Sequence, residues 1–162
     1  MVTLRALTLD DAEALTRVYS GASVRYTTGQ ALTRDEAQEK VRTALARAAG
    51  TLRAQWSWGI LIDGEMIGLA ALRRRSPTMA TVSYILREDT WGRGYATRAV
   101  QELVTFAFTT AGLESLSAQH HPDNPASGRV LAKAGFTSTG TSDVRAENGS
   151  VLSYPVYELR RP

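Results

Sequence analysis

The stretch VSYILREDTWGRGYATRAV, residues 82–100, decides how this chain is read. Its first part, Val82 to Leu86, is an apolar run of strand character. A short loop then brings Gly92 and Gly94 directly into a helical pattern. Ala96, Val100, Leu103, Val104, Ala107 and Ala111 recur on one face of it, and Gly112 supplies the stop. Glycine has no Cβ, so backbone N–H groups in such a loop can approach an anion closely. The first N–H groups of a helix have no partner within it, and the helix dipole favours negative charge at that end. A strand, a Gly-x-Gly loop and a helix in that order therefore make a ready phosphate site, which Arg87 and Arg93 flank. No Lys-Ser/Thr follows the second glycine, so the loop is not a P-loop. Thr97 stands where a dinucleotide fingerprint needs its third glycine. A tight turn that simply requires two glycines is the competing explanation, and the rest of the chain must decide.

Working outward toward the C-terminus, Leu113–Gln119 reads as a short strand bounded by turn residues. Asn124 is placed as a helix N-cap, Pro125 suits the first helical position, and Gly135 suits the left-handed stop. Phe136–Thr141 and Leu152–Arg160 read as two closing strands joined by a polar loop. On the N-terminal side, Trp56, Trp58, Ile60 and Ile62 alternate with smaller residues. Asp63-Gly64 predicts a hairpin turn into Glu65–Leu72, and Met79–Leu86 follows the basic run Arg73-Arg74-Arg75. Before this meander, Val2, Leu4 and Ala6 read as a first strand. Thr8 and Asp11 approximate a capping box ahead of a helix through Ala12, Leu15, Val18 and Tyr19. Ser20–Leu32 reads as an irregular loop, and Thr33, Glu36 and Gly50 punctuate a second helix. The predicted order is βααβββαβαββ. That is an α/β (α+β) architecture, a mixed, mostly antiparallel central sheet flanked by helices, expected as one domain over residues 1–162.

Composition narrows the function classes. Apolar residues make up 43% and charged residues 22%, ordinary for a globular domain. No stretch approaches the roughly 20 apolar residues that span a bilayer. The opening MVTLRALTLDD lacks the core of a signal peptide, so a cytoplasmic location is expected. The chain has no cysteine, which excludes disulfides, thiolate metal sites and cysteine nucleophiles. The net charge is +3, and all the basic residues except Lys40 and Lys133 are arginines spread along the chain. A nucleic-acid partner predicts a clustered basic face instead and is disfavoured. His120 and His121 are neighbours on a strand, so their rings face opposite sides, and no carboxylate cluster accompanies them; no metal site is expected.

The small positions Gly92, Gly94 and Ala96 resemble the pyrophosphate loop of the GNAT N-acetyltransferase superfamily, with Trp91 where Gln or Arg is usual. The form W-G-R-G-Y-A-T resembles the branch that acetylates ribosomal-protein N-termini and related small-molecule acceptors. A second block agrees with it. Asn124-Pro125-Ala126-Ser127, Arg129-Val130-Leu131 and Lys133-Ala134-Gly135-Phe136 resemble that branch's N-x-x-S…R-V-L-x-K-x-G-F. The element order matches across nearly the whole chain, although the N-terminal third carries no diagnostic motif.

The resemblance implies direct acetyl transfer from acetyl-CoA to a neutral amine, without an acyl-enzyme. The loop residues Trp91, Gly92, Arg93, Gly94, Tyr95, Ala96 and Thr97 are implied to hold the pyrophosphate, with Arg87 beside them. Backbone at Ile85 and Leu86 is implied to pair with the pantetheine arm, which Asn124 also meets, and Arg129 to meet the 3′-phosphate. Leu131 occupies the position where most of the superfamily carries a tyrosine acid, which leaves Ser127 as the implied proton donor to the thiolate. Glu147, in the last loop, is the first candidate base, or else a solvated loop carboxylate. Tyr84 is the next candidate, or else a packing residue or pocket wall. Acceptor specificity is expected from Ser20–Leu32 and the second helix, with Trp56, Trp58 and Tyr26 as candidate walls, although tryptophans are more often core than pocket. The acceptor is expected to be a small-molecule or peptide amine. Protein N-termini, amino acids, polyamines and amine antibiotics all fit, and a homodimer is open. The alternative is a non-catalytic CoA-binding sensor of the same fold, against which Ser127 and Asn124 argue. An RNA- or ribosome-binding protein ranks third.

Overall fold

The structure, a computed structural model, describes residues 1–49, 54–146 and 148–162. Its elements are β1 (Val2–Ala6), α1 (Ala12–Val18), α2 (Arg34–Ala48), β2 (Gln55–Ile62), β3 (Glu65–Arg74), β4 (Met79–Leu86), α3 (Tyr95–Thr109), β5 (Ser115–Gln119), α4 (Pro125–Lys133), β6 (Thr137–Arg145) and β7 (Val151–Arg160). This is the predicted order, with short 3-10 turns at Leu9–Asp11, Gly21–Val24 and Glu88–Thr90. All seven strands form one sheet in the order β1-β2-β3-β4-β5-β7-β6. Every pairing is antiparallel except β4 with β5.

Local chemistry explains most of the boundaries. Asp63 and Gly64 have φ of 51° and 82°, the pair of left-handed residues that lets a two-residue hairpin follow the twist of β2 and β3. At the start of α2, the Glu36 N–H donates to Thr33 Oγ1 (3.2 Å) and the Thr33 N–H donates to Glu36 Oε1 (3.0 Å), a complete capping box. Gly50, the expected stop of this helix, falls outside the described residues. Two expectations need correcting. β3 continues through Arg74, so the basic run begins inside a strand rather than in a loop. Asn124 occupies the N-cap position of α4, but its side chain makes no cap hydrogen bond. Its backbone (φ −118°, ψ 67°) lies outside the extended region from which a cap side chain turns back onto the first turn.

The sheet separates two apolar layers. α3 and α4 cover one face, where Ala99, Val100, Leu103 and Leu131 pack against Ala80, Val82 and Leu86 of β4. α1 and α2 cover part of the other face through Leu15, Ala37 and Val41, against Leu61, Met66 and Leu69. Trp56 and Trp58 meet Phe106 of α3 edge-on, with ring centroids 6.2 and 4.9 Å away. They belong to the α3 layer, so of the two places open to them, core and pocket wall, the structure shows the core. Leu131 is 1% exposed, a core residue.

The feature that positions the site is the parallel pair. β4 and β5 are in register only from Met79–Thr81 against Ser115–Ser117. Beyond Thr81, β4 runs on to Leu86 and β5 to Gln119 without pairing, so the sheet opens between them.

Candidate active site

The glycine loop lies at the far end of β4. Gly92 and Gly94 have φ of 75° and 79°, and nothing stands within 4 Å of where a Cβ would be at either. Glycine is therefore required by the backbone, not by crowding. The first backbone hydrogen bond of α3 runs from the Arg98 N–H to the Gly94 carbonyl (3.2 Å). Among the described residues, the N–H groups of Gly92, Arg93, Gly94, Tyr95, Ala96 and Thr97 have no backbone acceptor. N–H groups without backbone acceptors at a helix N-terminus are an arrangement that suits an anion. Arg93 is exposed beside them. Arg87 is not available in the same way, since its guanidinium is held by Glu65 (2.8 Å) and Asp89 (2.5 Å). Glu88, in the turn between Arg87 and the loop, accepts from the Ala22 N–H at 2.7 Å and so ties the 20–32 segment to this region.

The edge of β4 that faces the opening is polar in alternation. The Arg87 N–H bonds the Ile67 carbonyl of β3 at 2.7 Å, and the Ile85 carbonyl points at Gly68, where a Cβ would come within 2.5 Å of it. Ile85 therefore uses its backbone groups in the β3–β4 ladder, while those of Leu86 face the opening. The Leu86 carbonyl is taken by the Trp91 indole, which donates from Nε1 at 3.0 Å. Trp91 thus fastens the glycine loop to the strand end, and among the described residues the Leu86 N–H has no acceptor. The resemblance counts Trp91 among the pyrophosphate-loop residues, where Gln or Arg is usual, and nothing in local pattern announces this bond.

Ser127 and Tyr84 meet across the opening. Tyr84 Oη lies 2.6 Å from Ser127 Oγ and 3.1 Å from the Ser127 carbonyl oxygen. The phenol has one proton and two acceptors, so two patterns exist. Either the phenol donates to the carbonyl and the serine hydroxyl donates to the phenol oxygen, or the phenol donates to Oγ and frees the serine proton. Burial pushes the Tyr84 phenol up to about 12, against the smaller opposing effect of the Ser127 hydrogen bond. Raised in this direction, Tyr84 is a protonated donor at neutral pH.

Behind Ser127, Gly128 is a point of close approach. A Cβ there would lie 2.7 Å from Tyr157 Oη and 2.8 Å from His120 Nε2. His120 Nδ1 donates to the His121 carbonyl at 2.8 Å. We expect Gly128→Ala to lower the melting temperature. Overpacking against two ring-borne groups costs about 1–3 kcal/mol, against a helix-propensity gain of about 1 kcal/mol. A thermal unfolding scan checks this, and an unchanged or higher melting temperature would show that the two rings yield.

The remaining candidates are distributed around this centre. Asn124 and Ser127 both sit on the first turn of α4, and Arg129 is exposed on the same helix. Glu147 falls outside the described residues. His121 stands between Tyr26 (ring centroids 5.3 Å) and Tyr154 (5.4 Å), so Tyr26 of the 20–32 segment does reach the β5 end. His121 Nδ1 accepts the Asp123 N–H at 3.0 Å, so that nitrogen carries no proton and its 3.9 Å approach to the Asp123 carboxylate is not an ion pair.

Comparisons with known proteins agree with this fold. The sequence profile of the acetyltransferase (GNAT) domain matches residues 1–137. The uncharacterized N-acetyltransferase YoaA of Bacillus subtilis is 27% identical over 98% of this chain and 93% of its own. Among solved structures, RimL, a ribosomal L7/L12 alpha-N-protein acetyltransferase in complex with coenzyme A, superposes with a TM-score of 0.87 at 20% identity, covering 98% of this chain and 93% of that one. Mycobacterium smegmatis RimJ, in complex with CoA-disulfide, gives 0.86 at 21% identity over 98% and 81% of the two chains. The profile spans the sheet opening, the glycine loop and the Ser127 helix alike, and the chain belongs to the GNAT acetyltransferase family.

Proposed function

We propose that this chain moves an acetyl group from acetyl-CoA directly to a primary amine, most plainly a polypeptide α-amine. The observation that carries the reading is the Tyr84–Ser127 hydrogen bond at the mouth of the β4–β5 opening, on the sheet face that also carries the glycine loop. The unpartnered N–H groups of Gly92 to Thr97 suit the pyrophosphate, and the Leu86 N–H suits the pantetheine amide or thioester carbonyl. Asn124, with no cap bond to make, has its amide free for the arm, and exposed Arg129 suits the 3′-phosphate. When bound, acetyl-CoA supplies the activated acetyl group.

The chain's own residues supply positioning and protons. An N–H aimed at a developing oxyanion stabilises it in proportion to how well it is held in place, and the ladder with β3 fixes Leu86. Ser127 gives its hydroxyl proton to the leaving sulfur while the Tyr84 phenol, protonated at neutral pH, passes its own proton to the Ser127 oxygen and is reprotonated from solvent. On this reading Tyr84 belongs to the donor side of the reaction rather than to the base role. Glu147 stays as the proposed base, and an α-amine with a pKa near 8 asks less of a base than a lysine-like amine near 10. The neighbours described as ribosomal-protein acetyltransferases favour a polypeptide acceptor.

An acceptor panel tests the proposal. Thiol release from acetyl-CoA is measured with peptides bearing free N-termini, the same peptides blocked, polyamines and amino acids. Release with free peptides and none with blocked ones is expected. Tight CoA binding with no release on any amine would favour the sensor alternative.

A further inference from the structure

The opening between β4 and β5 has two sides, and the glycine loop, Tyr84 and Ser127 account for only one. On the opposite face, from the last β4–β5 pair onward, Ser83, Ser117 and Gln119 line a groove of about 300 Å³, with Arg73 and Arg75 at its rim. Arg73 pairs with Thr81 across β3–β4, and Arg75 Nε donates to Thr81 Oγ1 at 3.3 Å. Helix α2 adds to this rim. Arg47 Nη1 and Arg73 Nε converge on Gln55 Oε1 at 3.4 and 3.3 Å. Lys40, whose Nζ lies 5.1 Å from the centre of the Tyr19 ring, is near enough to both arginines for their repulsion to add to burial in lowering its pKa.

All four cations reach solvent, and among the described residues none pairs with a carboxylate. Arg5, Arg17, Arg42 and Arg87 all do. Like charges gathered without counter-charge oppose folding, so packing gives no reason for this arrangement, whereas an anionic partner relieves it. Scale chooses the partner. Thr81, opposite Arg73, precedes Tyr84 by three residues of strand, or about 10 Å at the usual rise. An extended peptide whose N-terminal amine enters the opening carries its third or fourth residue to Arg73, with the following ones passing Arg75 or α2. No aromatic ring lines the groove, so it lacks the stacking platform of a single-strand RNA site.

We propose that this face is the docking surface for an acidic polypeptide, whose free N-terminus enters the opening and whose carboxylates begin about three residues in. The proposal rests on the amine-acceptor reading above, and its test separates the two. Calorimetry in the presence of CoA compares a peptide with a neutral start followed by a run of Asp and Glu against its Asn and Gln counterpart. Each is titrated into wild type, Arg73→Ala/Arg75→Ala and Lys40→Ala/Arg47→Ala, with CoA affinity and thermal unfolding as folding controls.

The acidic peptide is expected to bind wild type about 10-fold more tightly than the neutral one, an advantage that either double variant removes and high salt erodes. CoA affinity stays unchanged in both variants. Equal binding of the two peptides, an acidic preference that survives in both variants, or tighter binding of an RNA oligonucleotide would overturn the proposal. Arg73-dependent peptide binding without acetylation would support the surface and count against the transfer reading alone.

Discussion

Replacing Ser127 with alanine is expected to lower kcat for acetyl transfer by about 100- to 1,000-fold, the range of a lost general acid, and to leave the KM for acetyl-CoA nearly unchanged. The hydroxyl is one hydrogen bond, 2.6 Å, from a phenol that burial keeps protonated, and it faces the strand opening where the thioester is proposed to lie. A thiolate expelled there meets a donor at once, and without Ser127 it must wait for water. Tyr84→Phe is expected to cost less, about 10-fold, because Ser127 keeps its own proton and loses only the group that supports it. Steady-state kinetics on both variants decides the order. A kcat within a few-fold of wild type for Ser127→Ala would move the acid elsewhere. A larger loss for Tyr84→Phe than for Ser127→Ala would make the phenol the direct donor.

The second large effect is expected at the loop. Gly92→Ala/Gly94→Ala puts a Cβ on two residues with φ of 75° and 79°. Each carries a strain of about 1–2 kcal/mol in that conformation. No neighbouring atom lies within 4 Å of either added carbon, so the chain still folds, and the strain is relieved by the loop changing shape. The N–H groups of the loop then lose their present arrangement. The KM for acetyl-CoA is expected to rise by about 10- to 100-fold, at about 1.4 kcal/mol per tenfold, with only a modest fall in melting temperature. An unchanged KM would mean that these N–H groups do not hold the pyrophosphate.

Of the residues in these predictions, Gly92 and Gly94 stand out by local pattern, whereas Ser127 is singled out by the family resemblance alone. Asp63-Gly64, Thr33 with Glu36, and Gly92 with Gly94 each specify a backbone shape within a few residues, and each forms as expected. The element order followed from the same kind of signal. What sequence could not convey are contacts made by register between distant segments. The Trp91 indole on the Leu86 carbonyl, the Ala22 N–H on Glu88 and Tyr84 on Ser127 are contacts of this kind. Periodicity showed that Trp56 and Trp58 share a face but not that this face meets α3. Composition failed differently for charge. The arginines are dispersed along the chain, yet pairing β3 with β4 and laying α2 alongside gathers Arg73, Arg75, Arg47 and Lys40 into one patch. Arg87 went the other way, since two carboxylates already engage a side chain expected to serve the phosphate loop.

A calorimetric titration of acetyl-CoA into wild type and into Gly92→Ala/Gly94→Ala bears on the loop, the cosubstrate and the site together. Saturable one-to-one binding to wild type is expected, weakened about 10- to 100-fold in the double variant. No saturable binding to wild type, or equal binding to both proteins, would contradict acetyl-CoA held by the loop between β4 and α3.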